Sequence, residues 1–142
     1  MSNSSIFLPA LGMVALTFLV WLRMYATRVA QMKRDRIHPQ SVALSAQMAA
    51  KVTDSRASDN FRNLFELPVL FYLAVVVAAI SGISDGVTLG LAWAFVVLRI
   101  AHSVIHCSYN RVMHRFTAYL LGGISLWLLW AWLAMALLGM TP

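Results

Sequence analysis

Long apolar runs separated by short polar connections set the pattern of the chain. Four runs reach bilayer length: Ile6–Tyr25, Leu64–Ile83, Val87–Ile105 and Phe116–Leu138. Each predicts a membrane-crossing helix, since a hydrocarbon core of roughly 30 Å takes about 20 helical residues. The connections differ in kind. Ser81-Gly-Ile-Ser-Asp-Gly86 is rich in helix breakers and predicts a tight turn folding the second and third runs into an antiparallel hairpin. The stretch from Met32 to Asn60 is longer, polar and interrupted by Pro39; within it Ser41–Asp54 has helix-forming composition with a serine placed to cap a short helix. The expected fold is all-α: an integral membrane, up-down-up-down four-helix bundle, a single four-span domain over residues 1–142, with no internal repeat.

Composition strengthens this picture. The chain has 142 residues, 61% apolar and 11% charged, against about 45–50% and about 25% in soluble domains. An ordinary cytosolic domain, a disordered chain and a nucleic-acid module are excluded. The basic balance, 11 Lys+Arg against 5 Asp+Glu, is explained by placement. Arg23, Arg28, Lys33, Arg34, Arg36, Lys51, Arg56 and Arg62 lie between the first and second runs, and Arg111 and Arg115 between the third and fourth. The Ser81–Gly86 turn and both termini carry none. The positive-inside rule therefore predicts both basic connections in the cytoplasm and both termini outside. Met1–Ser5 lacks the basic start of a signal peptide, so the first run reads as a retained span. Cys107, the single cysteine, forms no intrachain disulfide and reads as a small apolar filler.

Three polar clusters interrupt the apolar runs at the basic end. A charge within a span costs roughly 2.5–3.5 kcal/mol on insertion scales, so each calls for a partner or a purpose. The first is Arg56-Ala-Ser-Asp-Asn60-Phe-Arg-Asn63-Leu-Phe-Glu66-Leu-Pro68. On a helix Asn60, Asn63 and Glu66 share a face, a donor and acceptor set suited to a zwitterionic ligand; the competing reading is a local Arg62–Glu66 pair. The second is Arg99-x-x-His102-x-x-x-His106-x-x-Tyr109-Asn110, a polar stripe along one face of the third span. Arg99, the deepest, offers a planar fork for a carboxylate, and Glu66 on the neighbouring helix is its alternative partner; a ligand and Glu66 can share the cation. His102 and His106, four apart, can reach one metal, but a zinc site needs further ligands, and two imidazoles in a damp polar pocket is the simpler reading. The third cluster, Arg111-Val-Met-His-Arg115, anchors at headgroups or, turned inward, stabilises a thiolate.

Other signals read as structural. Trp21, Trp93, Trp127, Trp130 and Trp132 suit lipid-facing and interfacial positions. Gly86-x-x-x-Gly90 and Ala74-x-x-x-Ala78 permit close helix approach, and Gly122-Gly123 leaves room for a neighbouring subunit or a lipid tail.

Taken together, four short spans, an Asn/Glu/Pro signature opening the second and an Arg-led stripe closing the third resemble the MAPEG family, membrane-associated proteins in eicosanoid and glutathione metabolism. The resemblance covers essentially the whole chain, is strongest over Arg56–Phe71 and Arg99–Phe116, and is closest in kind to bacterial members. It implies a homotrimer in a bacterial inner membrane, with glutathione as co-substrate between subunits near the cytoplasmic face. In active members a cationic Arg stabilises the glutathione thiolate, which attacks a lipophilic electrophile dissolved in the membrane. Carried over, the family's N-x-x-E element matches Asn63 and Glu66, whereas its R-x-x-x-N element matches Arg56 and Asn60, three residues out of register. The third-span Arg matches Arg99, and two tyrosines of leukotriene-forming synthases match His102 and His106. The thiolate-activating Arg of those synthases falls at Met113, flanked by Arg111 and Arg115. The resemblance thus implies a ligand set of Arg56, Asn60, Asn63, Glu66, Arg99 and His102, and a catalytic set of Arg115, Arg111 and His106, with no metal. The expected function is a glutathione-dependent transferase or peroxidase; the alternative is a non-catalytic lipid-binding or partner-presenting protein of the same fold.

Overall fold

The computed structural model describes residues 3–140; Met1 and Ser2, part of the expected outward amino end, lie outside them. The described chain is helical: α1 (Phe7–Arg34), α2 (Ser45–Lys51), α3 (Arg56–Asn63), α4 (Leu67–Ile80), α5 (Gly86–Cys107) and α6 (Val112–Leu137), with 3₁₀ turns at Asn3–Ile6 and Pro39–Val42. Four segments are long and apolar enough to cross a membrane: α1, α3 with α4, α5 and α6.

The helices depart from the sequence-predicted bounds, most of all in the first and second spans. α1 runs nine residues beyond Tyr25 because no breaker precedes Pro39, and polar residues continue a helix readily once it leaves the apolar layer. At about 1.5 Å per residue its 28 residues extend roughly 42 Å, more than the hydrocarbon core. It stops where Arg36 turns left-handed (φ 52°) and the Ile37 amide donates to the Met32 carbonyl at 2.9 Å. The second span is not one continuous rod. α3 ends at Asn63, Glu66 adopts a non-helical backbone (φ −96°, ψ −106°), and α4 restarts with Pro68 in its first turn, where a missing N–H costs least.

The predicted Ser41–Asp54 helix is reduced to the 3₁₀ turn and the seven-residue α2. Gln31, buried on α1, holds the return of this connection: its amide donates to Thr53 Oγ1 at 3.0 Å, and its carbonyl oxygen accepts from the Asp54 amide at 3.2 Å. Asp54 in turn receives Arg56 Nε and Nη2, both at 2.9 Å, and that hydrogen bonding holds its carboxyl below the usual range.

The hairpin between α4 and α5 closes as expected. Gly82 takes φ 70°, the left-handed value glycine tolerates, and Asp85 caps α5 by accepting from the Val87 and Thr88 amides at 2.8 and 2.9 Å. Trp132 Nε1 of α6 also donates to Asp85, at 3.1 Å, tying the fourth span to the hairpin.

The core runs along the bundle axis. Phe71 and Phe95 stack at 4.7 Å, with Met13, Val75, Val96, Leu126, Leu129 and Leu133 around them. Ala74 and Ala78 are buried at helix seams as their spacing predicts. Gly86 and Gly90 are not: a Cβ at either would meet nothing within 4 Å. The close approach falls instead at Gly12, where a Cβ would lie 3.3 Å from Val96 Cγ1, bringing α1 against α5.

Candidate functional site

The basic connections meet at one end of the bundle. Arg23 Nη2 of α1 donates to the Cys107 carbonyl at 2.6 Å, and Arg56 Nη1 of α3 donates to the Ser108 carbonyl at 2.6 Å. Two cations from different spans thus cap the carboxyl end of α5, where free carbonyls concentrate negative charge.

The carboxyl half of α5 presents polar side chains to two seams. Ser103 and Cys107 turn toward α3: the Asn60 amide donates to Cys107 Sγ at 3.5 Å, and its Oδ1 accepts from the Ser103 hydroxyl at 3.3 Å. Asn60 is wholly buried, with its amide nitrogen and its oxygen each bonded within the protomer. Arg99, His102 and His106 turn toward α6. They are 0%, 2% and 4% exposed, among the most deeply buried polar groups of the described chain. His102 Nδ1 pairs with the Arg115 carbonyl at 3.1 Å, which fixes the imidazole against the first turn of α6. The two imidazoles sit edge to face at 5.5 Å.

Arg99 is the anomaly. Its guanidinium lies 5.4 Å from the Phe95 ring and 4.7 Å from that of Tyr119, two aromatic faces that attract a cation. Yet Nε, Nη1 and Nη2 have no hydrogen-bond partner, nor do His102 Nε2 and His106 Nδ1. Neither the Tyr119 hydroxyl nor the Glu66 carboxylate hydrogen-bonds the guanidinium. A buried, unbonded charge costs several kcal/mol. Five polar atoms on these three buried side chains are left without a protein partner.

Neither sequence-predicted pair with Glu66 forms. Glu66 is exposed, Arg62 lies 3.9 Å from Asp59 instead, and no ion pair joins Glu66 to Arg99 among the described residues. The cause is the break after Asn63: three-residue spacing places side chains on one face only within an unbroken helix, so Asn60 faces inward and Glu66 outward. Asn63 is half-buried beside that break. Arg115 is half-buried in α6 and donates to Asn110 Oδ1 at 2.6 Å; Arg111 and Met113 are exposed. Arg56 is held by Asp54 and the end of α5. Among the described residues no three His, Cys, Asp or Glu side chains gather as a metal site, so His102 and His106 have no third ligand. Tyr119, which packs on both Arg99 and His102, was not singled out from sequence; its place one helical turn after Arg115 is the signal that marks it.

The family model of the MAPEG family matches residues 6–135, nearly the whole described chain. No curated protein and no solved structure matches. Four membrane-length helices, a polar cluster where the third meets the fourth, and this match over almost its full length agree: the chain belongs to the MAPEG family.

Proposed function

We propose that this protein is a glutathione-dependent transferase or peroxidase acting on lipophilic electrophiles, consistent with a family that includes such enzymes. The observation that carries the reading is the group of unbonded polar atoms on Arg99, His102 and His106. Glutathione supplies what they lack: carboxylates for a guanidinium fork and a thiol whose anion a cation stabilises. Arg99 and His102 bind and orient the ligand, with Asn63 and Glu66 on the broken second span as further contacts. Arg115, half-buried beside His102, takes the thiolate-stabilising role that Met113 cannot, with Arg111 contributing charge at the mouth.

The chemistry requires little machinery. A free thiol has a pKa near 8.5, and a neighbouring guanidinium lowers it. The thiol proton leaves to His106 Nδ1 or water, the sulfur forms a bond to the electrophilic carbon, and the leaving group departs with its electron pair. The second substrate arrives by partitioning into the bilayer beside α5 and α6. The homotrimer and the cytoplasmic placement of the basic end belong to this proposal.

The enclosure of Arg99 within the protomer favours a second reading, a non-catalytic lipid-binding or partner-presenting member of the same fold. Conjugation of glutathione to a chlorodinitrobenzene by purified protein separates them. Turnover that falls at least tenfold in both His106→Ala and Arg115→Ala supports the enzyme; no turnover above the uncatalysed rate supports the second reading.

A further inference from the structure

A polar-ended groove lies on the side of α5 that faces α1. Leu16, Leu19 and Val20 of α1 and Ile100 and Val104 of α5 wall an apolar groove of about 370 Å³ that ends at Arg23. Leu19, Val104 and Ile100 are 61%, 59% and 41% exposed, so the groove opens sideways from the bundle. Its one deep hydroxyl, on Ser103, is turned away to Asn60. The groove body therefore offers no hydrogen bonds, whereas its end offers a cation held in place by the Cys107 carbonyl.

We infer that this groove is a binding site for an anionic phospholipid, with an acyl chain along Leu16–Val104 and the phosphate on Arg23. Charge complementarity selects the occupant. From Leu16 to Arg23 the helix rises about 10 Å, a length of acyl chain lying within a segment apolar enough to cross the membrane. Its cation stands at the basic end of the bundle. Arg56, fixed on the adjacent Ser108 carbonyl, adds positive potential there, although Asp54 offsets part of its charge. Arg23 uses one nitrogen on the α5 carbonyl and keeps further N–H donors for a phosphate. The site is separate from the Arg99 cluster, which faces α6, and it stands whether or not the protein conjugates glutathione.

The test is native mass spectrometry of the purified full-length protein with phosphatidylglycerol or phosphatidylcholine of identical chains. Phosphatidylglycerol is expected to be retained preferentially. Arg23→Gln should lower that retention about fivefold, the contribution of one basic residue near an anionic headgroup, and Arg23→Lys should preserve most of it. Val104→Trp, which fills the groove and leaves Arg23 in place, should abolish retention of both lipids. Equal retention of the two lipids overturns the assignment. So does retention indifferent to both Arg23→Gln and Val104→Trp, or a Val104→Trp protein that loses its oligomeric state and keeps its lipid, which makes the groove a contact between copies of the chain.

Discussion

Asn60 and Cys107 close the seam between α3 and α5: the amide of one donates to the sulfur of the other at 3.5 Å while its oxygen accepts from Ser103. Both polar ends of Asn60 are used inside the protomer. Asn63, one turn on, is half-buried beside the break in the second span. The two asparagines should therefore respond differently to substitution. Asn60→Ala should destabilise the protein by about 1–3 kcal/mol, the cost of an unpaired buried hydroxyl and a small void. Asn63→Ala should leave stability within about 0.5 kcal/mol and weaken glutathione binding instead. Thermal unfolding and titration of both variants in one detergent check the division.

Arg99 carries a different expectation. Removing one partner of a satisfied buried ion pair is strongly destabilising, about 3–5 kcal/mol, whereas replacing an unbonded buried charge with an apolar side chain is neutral or stabilising. Arg99→Met should therefore unfold at the same temperature as the parent or higher in the absence of ligand. A fall of several degrees would show that the guanidinium has a resident partner.

Asp85 makes stability at the opposite end pH-dependent. Its partial burial works to raise the carboxyl pKa, but hydrogen bonds from Thr88, Trp132 and Val87 outweigh it and hold the value below the usual range. A depressed carboxyl contributes stability that is present above its unfolded pKa, about 3.9, and is lost as pH falls through the folded value. The parent should lose unfolding temperature below about pH 4 more steeply than Asp85→Ala. At neutral pH Asp85→Ala should be less stable by about 0.5–2 kcal/mol, the worth of a helix cap. Unfolding curves from pH 7 to 3 for both proteins give the comparison.

Gln31 holds the long connection to α1 through Thr53 and Asp54. Gln31→Leu fills similar space and makes neither bond. Limited proteolysis should then cut between residues 35 and 55 at least several-fold faster, with the four spans intact.

Much of this architecture was legible in the sequence because bilayer length and the basic connections constrain it so tightly. The antiparallel hairpin at Ser81–Gly86 and the inward face of Arg99, His102 and His106 follow from period and composition, whereas Tyr109, at the far end of the predicted stripe, lies beyond α5 and is exposed. The helical face shared by Asn60, Asn63 and Glu66 did not survive, since Pro68 restarts the helix and a three-residue spacing means nothing across a break. The glycine contact also moved, from Gly90 to Gly12, because a small-residue spacing says which side is narrow but not which helix approaches it. Tyr119 is not legible in the sequence for a related reason: a tyrosine in an apolar run has the look of lipid-facing filler, and only the packing of α6 on α5 sets its ring against the guanidinium.

The proposed glutathione site rests on the unpartnered atoms of Arg99, His102 and His106. Thiolate absorbance during titration with glutathione tests it directly. The parent should bind glutathione at neutral pH with a rise in thiolate signal and a thiol pKa lowered by a unit or more, and Arg99→Met, folded and equally stable, should lose that signal. Glutathione bound as the neutral thiol, or a thiolate signal unchanged in Arg99→Met, would contradict it.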